Sequence, residues 1–496
     1  MTYNTVIVPA LETMRSTTLN ALKKFRKNGG RVLFIGEAPL YLDALPSDEP
    51  RKFAEECEII PWVRGKIYKA LKEDKFIDIK DFSGNLSWGL IHQVRNDGEF
   101  KHIFISHVYK PKNYDVAPIE SFIITIKGEW TVHEYDTLKG EKRRLKVSYK
   151  KGDTVFNWIC SKDSSLLLEL KNGRDTEEGG FEFADKNYSK AEYPAHSADF
   201  TLSEPNVLLL DRPEYKINGG EWNDALNIIK ADDIVRRATG GHLHGAKMAQ
   251  PWIEPLDKDP KDKVILRYTF DSDIEYEGAH IAIEAPEYTE LVFNGENVKM
   301  NVDGYYIDEE SIKTVKLPKI KKGTNELIAN IRVGDITPLE SYYILGNFGV
   351  ENHGIYSKIT ALPEKLYFDS ITTQRLPFYG GNVKYSFKFN GGGKKTVEIS
   401  KYRGAVIKVF LDGKEAGYVD FPPHRLYLGE LPDGEHTLEL EFFGTRINTL
   451  GQLHNTNDNI PWAGSVSWRT SGRFWTDEYM LYPQGIMTAP RILTEE

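Results

Sequence analysis

The sequence predicts a multidomain, mainly β protein, in which a small α/β domain is followed by a β-sandwich and two further β-sandwiches. Three observations predict this class. Apolar strand segments alternate with helically spaced segments up to about residue 75, the period of the apolar positions changes to two from residue 76, and two stretches of the second half repeat one hairpin pattern. At 496 residues the chain exceeds the size at which a single core divides, so several domains are expected.

The pattern of apolar residues over 1–75 predicts parallel βαβ units. An apolar strand at Val6 to Val8 precedes Ser16 and Thr17, which are N-cap residue types, and the helix that follows ends at Gly29-Gly30. The remaining elements of this segment are a strand at 32–35, a helix near 50–56, a strand at 58–60 and a helix over 62–71. Parallel strands are normally buried inside a sheet of several strands, so we expect either a very small sheet or further sequence before it.

Residues 76–172 predict an antiparallel β-sandwich. The run "LIHQVRNDGEFKHIFISHV" predicts a hairpin that turns at Asn96-Asp97-Gly98, and a second hairpin turns near Lys139-Gly140. Residues 173–200 are polar and aperiodic, which indicates a linker or a wrapping segment.

Residues 201–350 and 351–496 predict two sandwiches of similar build. The stretches 280–298 and 404–419 each contain a strand that leads into an Asn-Gly or Asp-Gly turn. Each is followed by a Gly-marked turn and another strand, at 317–331 and 428–442. The stretch 221–240 interrupts the first of these sandwiches with apolar spacing that favours a helix packed on the sheet.

The composition excludes several classes of function. A net charge of -9 argues against a nucleic-acid binder that follows the phosphate backbone, and no apolar run reaches the roughly 20 residues of a membrane span. Cys57 and Cys160 are too few for a disulfide framework, no signal peptide opens the chain, and we expect a reducing, cytoplasmic compartment. Neutral sugars or peptides suit this composition better as ligands.

Several stretches of the second half resemble known carbohydrate-active proteins. The runs "LPFYGGNVKYSFKF", "LDGKEAG" and "DGEHTLELEFFGTRINTLGQLHN" resemble the sugar-binding, galactose-binding-like jelly-roll domain of glycoside hydrolase family 2. The run "WAGSVSWRTSGRFWTDEYMLYPQGI" resembles the C-terminal end of bacterial proteins related to family 2 and to the family 106 rhamnosidases. The opening βαβ resembles the Rossmann-like domain that follows the catalytic barrel of β-galactosidase-like enzymes.

This resemblance implies where the chemistry would be. In the proteins that the chain resembles, the acid/base and nucleophile carboxylates lie on a (β/α)8 barrel, which would precede residue 1. The expected function is therefore a non-catalytic, carbohydrate-binding accessory part of a glycoside hydrolase, partnered by an upstream barrel or by self-association, and the chain alone is expected to hydrolyse no glycoside. The alternatives are a self-contained glycoside hydrolase with carboxylates at the module interfaces and a protein-interaction scaffold.

A polar segment near the C-terminus is the predicted sugar site. Amide, imidazole and guanidinium groups hydrogen-bond ring hydroxyls, and indoles provide the apolar platform that a sugar face requires. The same residue types also satisfy loop backbones and fill cores, so a structural role is the alternative. The predicted sugar-binding residues are Arg446, Asn448, His454, Asn455, Trp462, Trp468, Arg469 and Trp475.

Catalytic, metal and nucleotide sites have weaker support. Glycoside hydrolysis needs two carboxylates about 5 to 9.5 Å apart, and the local candidates are Asp458, Asp477 and Glu478. If Asp477 and Glu478 lie on a strand they point to opposite faces and share no pocket. His242 and His244 have no third ligand nearby in sequence, so no metal site is expected, and the turn after the first strand lacks a phosphate-binding glycine pattern, so no nucleotide cofactor is expected either.

Overall fold

A computed structural model describes residues 3–109, 113, 118–183, 187–243, 260–307, 309–335, 337–457 and 471–496. It divides into two compact units, Met1–Asp185 (unit 1) and Lys186–Glu496 (unit 2). Parallel and antiparallel sheets make up most of both units, so the predicted multidomain, mainly β fold is confirmed. No described helix is long and apolar enough to cross a membrane.

Unit 1 contains an α/β part and a β-sandwich. The α/β part has the helices α1 (Ser16–Lys27), α2 (Glu49–Glu55) and α3 (Arg64–Ala70) and the strands β1 (Thr5–Val8), β2 (Thr13–Met14), β3 (Arg31–Ile35), β4 (Tyr41–Leu42), β5 (Leu45–Pro46) and β6 (Glu58–Ile60). The sandwich has β7 (Ile77–Asp81), β8 (Leu90–Asp97), β9 (Phe100–His107), β10 (Ile119–Ile126), β11 (Trp130–Asp136), β12 (Glu141–Arg144), β13 (Ser148–Lys150), β14 (Asp153–Ser161) and β15 (Ser165–Asn172).

The main sheet of the α/β part is small and parallel, and a second small sheet, β2-β4-β5, lies beside it in the chain. The strands of the main sheet run in the order β1-β3-β6 and all pair in parallel, as the sequence predicts. The cap of α1 differs from the prediction, because the backbone N–H of Ser16 donates to Asp43 Oδ1 at 3.0 Å. Hydrogen bonds from the side chain and then from the backbone of Ser16 lower the pKa of Asp43, whose carboxylate supplies the negative charge that a helix N-terminus favours.

Two facing sheets form the sandwich of unit 1. Their strand orders are β13-β14-β10-β7 and β12-β11-β15-β9-β8, and Trp158 is the largest side chain of the core between them. The predicted hairpin at Asn96-Asp97-Gly98 is present, since β8 pairs with β9 and Gly98 has φ 59°, a conformation that glycine adopts without strain. The hairpin near Gly140 joins β11 to β12.

Unit 2 contains two sandwiches and the helices α4 (Ile228–Thr239) and α5 (Ile447–Leu450). Its first strands are β16 (Tyr188–Glu192), β17 (Ser197–Leu202), β18 (Asn206–Leu210), β19 (Glu214–Ile217), β20 (Asp262–Ser272), β21 (His280–Glu284), β22 (Thr289–Phe293), β23 (Glu296–Asn297), β24 (Val302–Tyr306), β25 (Glu309–Lys316), β26 (Gly323–Val333), β27 (Tyr342–Gly346), β28 (Gly349–His353) and β29 (Tyr356–Thr360). Its last strands are β30 (Leu366–Tyr367), β31 (Val383–Asn390), β32 (Gly393–Glu398), β33 (Tyr402–Arg403), β34 (Ile407–Leu411), β35 (Lys414–Val419), β36 (Arg425–Leu431), β37 (Glu435–Phe442), β38 (Gly485–Ile486) and β39 (Arg491–Glu495).

The middle sandwich packs the sheet β18-β27-β21-β25-β24 against the sheet β23-β22-β26-β20-β29-β28. The C-terminal sandwich packs β16-β39-β32-β36 against β30-β17-β31-β37-β34-β35. The segment predicted as a linker therefore contributes β16 and β17, because these strands pair with partners far along the chain. The domain boundaries near 75, 172, 200 and 350 stay predictions.

The predicted internal repeat is present as two equivalent hairpins. Asn294 and Asp412 each open the turn with φ 50°, and β22 and β34 pair with β26 and β37. In each copy the turn side chain accepts a backbone N–H from the facing strand, Asn294 from Glu326 at 3.0 Å and Asp412 from Thr437 at 2.9 Å. The turn side chain thus fixes the register of the facing strand in both sandwiches.

A three-residue ionic row crosses the C-terminal sandwich. The register places Arg425 of β36 and Arg491 of β39 on either side of Glu398 of β32, and their Nε atoms donate to its carboxylate at 2.5 and 2.8 Å. Burial opposes ionisation of Glu398, but the hydrogen bonds from the two arginines outweigh it and lower its pKa.

We expect Glu398→Gln to destabilise the protein by about 1 to 3 kcal/mol at pH 7, because charge-assisted hydrogen bonds are lost. The folded pKa lies below the ordinary value of 4.5, so the stabilising contribution is fully present above that pH and is lost as the pH falls below it. Urea unfolding at several pH values tests this. As the pH falls below 4.5, the free energy of unfolding should decrease less for the variant than for the wild type. An equal decrease in the two proteins would contradict the stabilising role of the ionised Glu398.

Candidate functional site

A cleft of about 370 Å³ opens at one edge of the middle sandwich, and we call it the Asp211 cleft. Its walls are the end of β18, strand β20, the β28–β29 hairpin and Tyr479. All five residues of β18 are buried, so the strand delivers the next residue, Asp211, to the inner end of the cleft. The polar and aromatic residues of the lining are Asp211, Arg212, Tyr268, Thr269, Asp271, Thr324, Glu351, His353, Tyr356, Ser357, Lys358 and Tyr479.

Asp211 is the centre of a buried hydrogen-bond network. Its side chain is 5 % exposed, and its carboxylate accepts from Tyr479 Oη at 2.6 Å, from His454 Nε2 at 2.8 Å and from Asn227 Nδ2 at 3.1 Å. Asn227 also caps α4, since its Oδ1 accepts the backbone N–H of Ile229 at 3.1 Å. The network therefore ties β18, the N-terminus of α4 and the 454–479 region together.

The hydrogen bonds of His454 determine how many protons the network holds. Its Nδ1 lies 3.0 Å from the carbonyl oxygen of Thr476, which can only accept, and its Nε2 lies 2.8 Å from the Asp211 carboxylate. Both contacts are hydrogen bonds only if two protons are shared between the ring and the carboxyl group.

Trp475 lies beside this network with its ring already in contact with protein groups. The indole stacks on His454 with centroids 5.2 Å apart, and Lys230 of α4 lies over the ring at 3.6 Å. Burial lowers the pKa of Lys230, while nearby Asp477 opposes that shift. These contacts join Trp475 to His454 and to α4, and its predicted role in sugar binding stays a prediction.

The two predicted acidic candidates separate in space. Asp477 Oδ1 accepts from Trp475 Nε1 at 3.1 Å and from Arg212 Nη1 at 3.0 Å, and the hydrogen bond from Trp475 lowers its pKa most. The Glu478 carboxylate lies instead beside Gly354 of the β28–β29 turn. Asp477 is thus held in its ionised form, which is the wrong form for a general acid.

Arg446, Asn448 and Asn455 make structural contacts away from the cleft. Arg446 forms a two-pronged ion pair with Glu204. Asn448 is buried, donates to the carbonyl of Tyr482 at 2.7 Å and accepts its N–H at 2.9 Å. Asn455 is also buried and donates to Gln452 Oε1 at 3.0 Å.

Other predicted residues fall elsewhere. Asp458, Trp462, Trp468, Arg469 and His244 lie outside the described residues. His242 contacts both carboxylate oxygens of Asp335, at 2.8 and 2.9 Å. In the part of the chain that the structure describes, no group of three or more His, Cys, Asp or Glu side chains is arranged to hold a metal ion.

The charged groups of the cleft are mutually paired. Glu351 accepts from Arg375 Nε at 3.1 Å and lies 3.3 Å from Lys358 Nζ, and Asp271 accepts from Thr324 Oγ1 at 2.7 Å. The two permanent cations of the lining also pair with carboxylates, Arg212 with Asp477 at 3.0 Å and Lys358 with Asp273 at 2.8 Å. Neither cation is therefore left over for an anionic ligand, whereas a neutral ligand would find donors and acceptors in fixed positions.

Sequence reasoning missed most of this cleft. A weak signal for Asp211 is that a carboxylate directly follows "NVLLL", whose last four residues are apolar, because such a position is at the end of a buried strand. Tyr356 offered no signal beyond its place in a Gly-containing hairpin, yet its side chain is 74 % exposed at the mouth of the cleft.

No protein-family model and no curated protein matches the chain. Solved structures do resemble it. A rhamnosidase from Novosphingobium sp. PP1Y has a TM-score of 0.45 at 11 % identity, and the match covers 99 % of this chain and 33 % of that one. An exo-carrageenase from Bacteroides ovatus has a TM-score of 0.22 at 13 % identity and covers 34 % and 22 % of the two chains.

An α-L-rhamnosidase from Dictyoglumus thermophilum has a TM-score of 0.12 at 11 % identity and covers 72 % of this chain and 47 % of that one. The match to the Novosphingobium rhamnosidase covers 33 % of that protein, so the chain spans about a third of its length. These TM-scores are too low to carry a functional assignment, which rests on the geometry of the cleft.

Proposed function

We propose that the chain is the non-catalytic, carbohydrate-binding part of a glycoside hydrolase-related protein and that the Asp211 cleft binds a neutral sugar. The observation that carries the proposal is the combination, in one cleft, of fixed polar groups and an exposed aromatic side chain, Tyr356. Sugars need such a combination, because their rings have apolar faces and their hydroxyls both donate and accept hydrogen bonds.

The ionic contacts of the acidic residues support binding over catalysis. A glycosidase general acid has a raised pKa so that it stays protonated. Asp477 has a lowered pKa, and Glu351 is neutralised by Arg375 and Lys358. Under this proposal, glycoside hydrolysis takes place on a catalytic barrel, as the sequence resemblance implies.

The state of the cysteines agrees with a reducing, cytoplasmic location, which is part of the proposal. Cys57 and Cys160 are both free thiols. Burial raises the pKa of Cys160 to about 12, so this thiol is unreactive near neutral pH.

We expect Tyr356→Ala to weaken sugar binding about ten-fold, equivalent to about 1.4 kcal/mol, because the aromatic platform is lost. The matched control is Tyr367→Ala, which removes a tyrosine that is 65 % exposed and does not line the cleft. Isothermal titration calorimetry with galactose, rhamnose and xylose oligosaccharides measures both. The expected wild-type affinity is millimolar, because ring hydroxyls exchange water for protein at small net gain.

Glucuronic acid is the charge control in the same titrations. Because Arg212 and Lys358 already pair with carboxylates, glucuronic acid should bind no more tightly than the neutral sugars. Equal binding by Tyr356→Ala and the wild type, or a preference for the acidic sugar, would rule out the proposed site.

A further inference from the structure

A second cleft, wholly within unit 1, lies between α3 and the strands β7 and β8, and we call it the α3 groove. Its volume is about 490 Å³, which is within the range of small-molecule sites. None of the residues of α3 is buried, whereas Ile77 and Ile79 of β7, on the opposite side, are buried. The helix thus covers the groove without filling it.

Aromatic side chains line the groove above an aliphatic floor. Trp62 and Trp88 are 66 % and 52 % exposed, and Tyr68 also belongs to the lining. Isolated exposed apolar residues are ordinary, but two indoles around one concave apolar surface form a contact surface for a ring-shaped ligand.

The charged groups of the groove have an excess of cations. Asp78 lies 3.3 Å from Lys75 Nζ and also pairs with Lys80, which is outside the lining, so the lining itself has the cations Arg64 and Lys75 and one carboxylate. Arg64 lies over the ring of Trp88 and has no carboxylate within ion-pair distance among the described residues. Its guanidinium is therefore free to pair with an anion at the mouth of the groove.

The lining of the groove contains two further titratable groups, His92 and Tyr68. Burial lowers the pKa of His92, and the charge of Lys75 lowers it further, so the ring is neutral at pH 7. The hydroxyl of Tyr68 donates to Asp78 at 3.3 Å and stabilises the ionised carboxylate.

We propose that the α3 groove is a second ligand site that binds an organic anion with an aromatic body. The aromatic ring of the ligand packs against the apolar lining of the groove, and its anionic group pairs with Arg64. This occupant satisfies both features of the groove, its apolar concave surface and its surplus positive charge.

Calorimetric titration of the full chain with 2-naphthoate and with 2-naphthylmethanol, a neutral molecule of nearly the same shape, tests the proposal. We expect naphthoate to bind about ten-fold more tightly at low ionic strength, with the difference shrinking as salt is added. Arg64→Gln should remove this preference and leave naphthylmethanol binding unchanged, and Trp88→Ala should weaken both ligands.

The control variant is Phe82→Ala, because Phe82 is 55 % exposed, close in sequence to Trp88 and absent from the lining of the groove. It should change neither affinity, and circular dichroism checks that each variant is folded. The proposal is overturned if naphthoate does not bind at millimolar concentration, if both ligands bind equally, or if Arg64→Gln keeps the preference for the anion.

Discussion

Replacing Asp211 by alanine is expected to lower the free energy of unfolding of the protein by about 3 to 5 kcal/mol. The reason is that His454, whose side chain is 6 % exposed, and the hydroxyl of Tyr479 would lose a buried hydrogen-bond partner. Chemical denaturation followed by tryptophan fluorescence measures the loss, since Trp475 stacks on His454.

Two further variants distinguish the effect of the lost ionisable groups on stability from the effect of the lost side-chain volume. The double variant Asp211→Asn/His454→Gln should recover part of the stability, because two neutral amides can hydrogen-bond where the ionisable pair stood. The exposed control is Asp477→Asn, whose side chain is 55 % exposed, and it should cost about 1 kcal/mol or less. A small loss for Asp211→Ala, similar to the control, would show that the network adds no stability.

Arg236→Met is the other substitution with a large expected effect, again a loss of about 3 to 5 kcal/mol. The side chains of Arg236 and Asp232 are 1 % and 0 % exposed, and Arg236 Nε donates to Asp232 Oδ1 at 2.7 Å. The guanidinium also donates to the carbonyls of Asp335 at 2.6 Å and Thr337 at 2.9 Å, so it joins α4 to the loop after β26. Its removal leaves a buried carboxylate and two carbonyl groups short of a donor.

The matched control is Arg237→Met, at the exposed neighbouring position of the same helix, which is expected to be nearly neutral. The double variant Arg236→Met/Asp232→Leu should restore much of the lost stability, because apolar side chains of similar volume replace the buried ion pair. Thermal unfolding of the three variants measures these effects. If Arg236→Met and Arg237→Met melt at the same temperature, the buried pair does not hold α4 in place.

The sequence predicted the features that depend on local chemistry. The hairpin at Asn96-Asp97-Gly98 and the repeated turns at Asn294 and Asp412 are specified by a few adjacent residues that favour left-handed backbone conformations. The helix predicted within 221–240 is present as α4, because its N-cap, Asn227, and its C-cap, Gly240, are also local.

The candidate site could not be predicted in the same way, because its contacts join distant parts of the chain. Asp211 meets His454 and Tyr479 across 243 and 268 residues, and Arg446 meets Glu204 across 242. No periodicity or spacing encodes such contacts. The first helix shows the same limit on a smaller scale, since its capping carboxylate, Asp43, follows Ser16 by 27 residues.

The binding of a neutral sugar in the Asp211 cleft is tested most directly by a crystal structure of the chain soaked in a neutral oligosaccharide. We expect electron density in the cleft, with one sugar face against Tyr356 and ring hydroxyls about 3 Å from the charged groups of Arg212 or Glu351. Sugar bound elsewhere on unit 2 while the cleft holds only water would contradict the proposal.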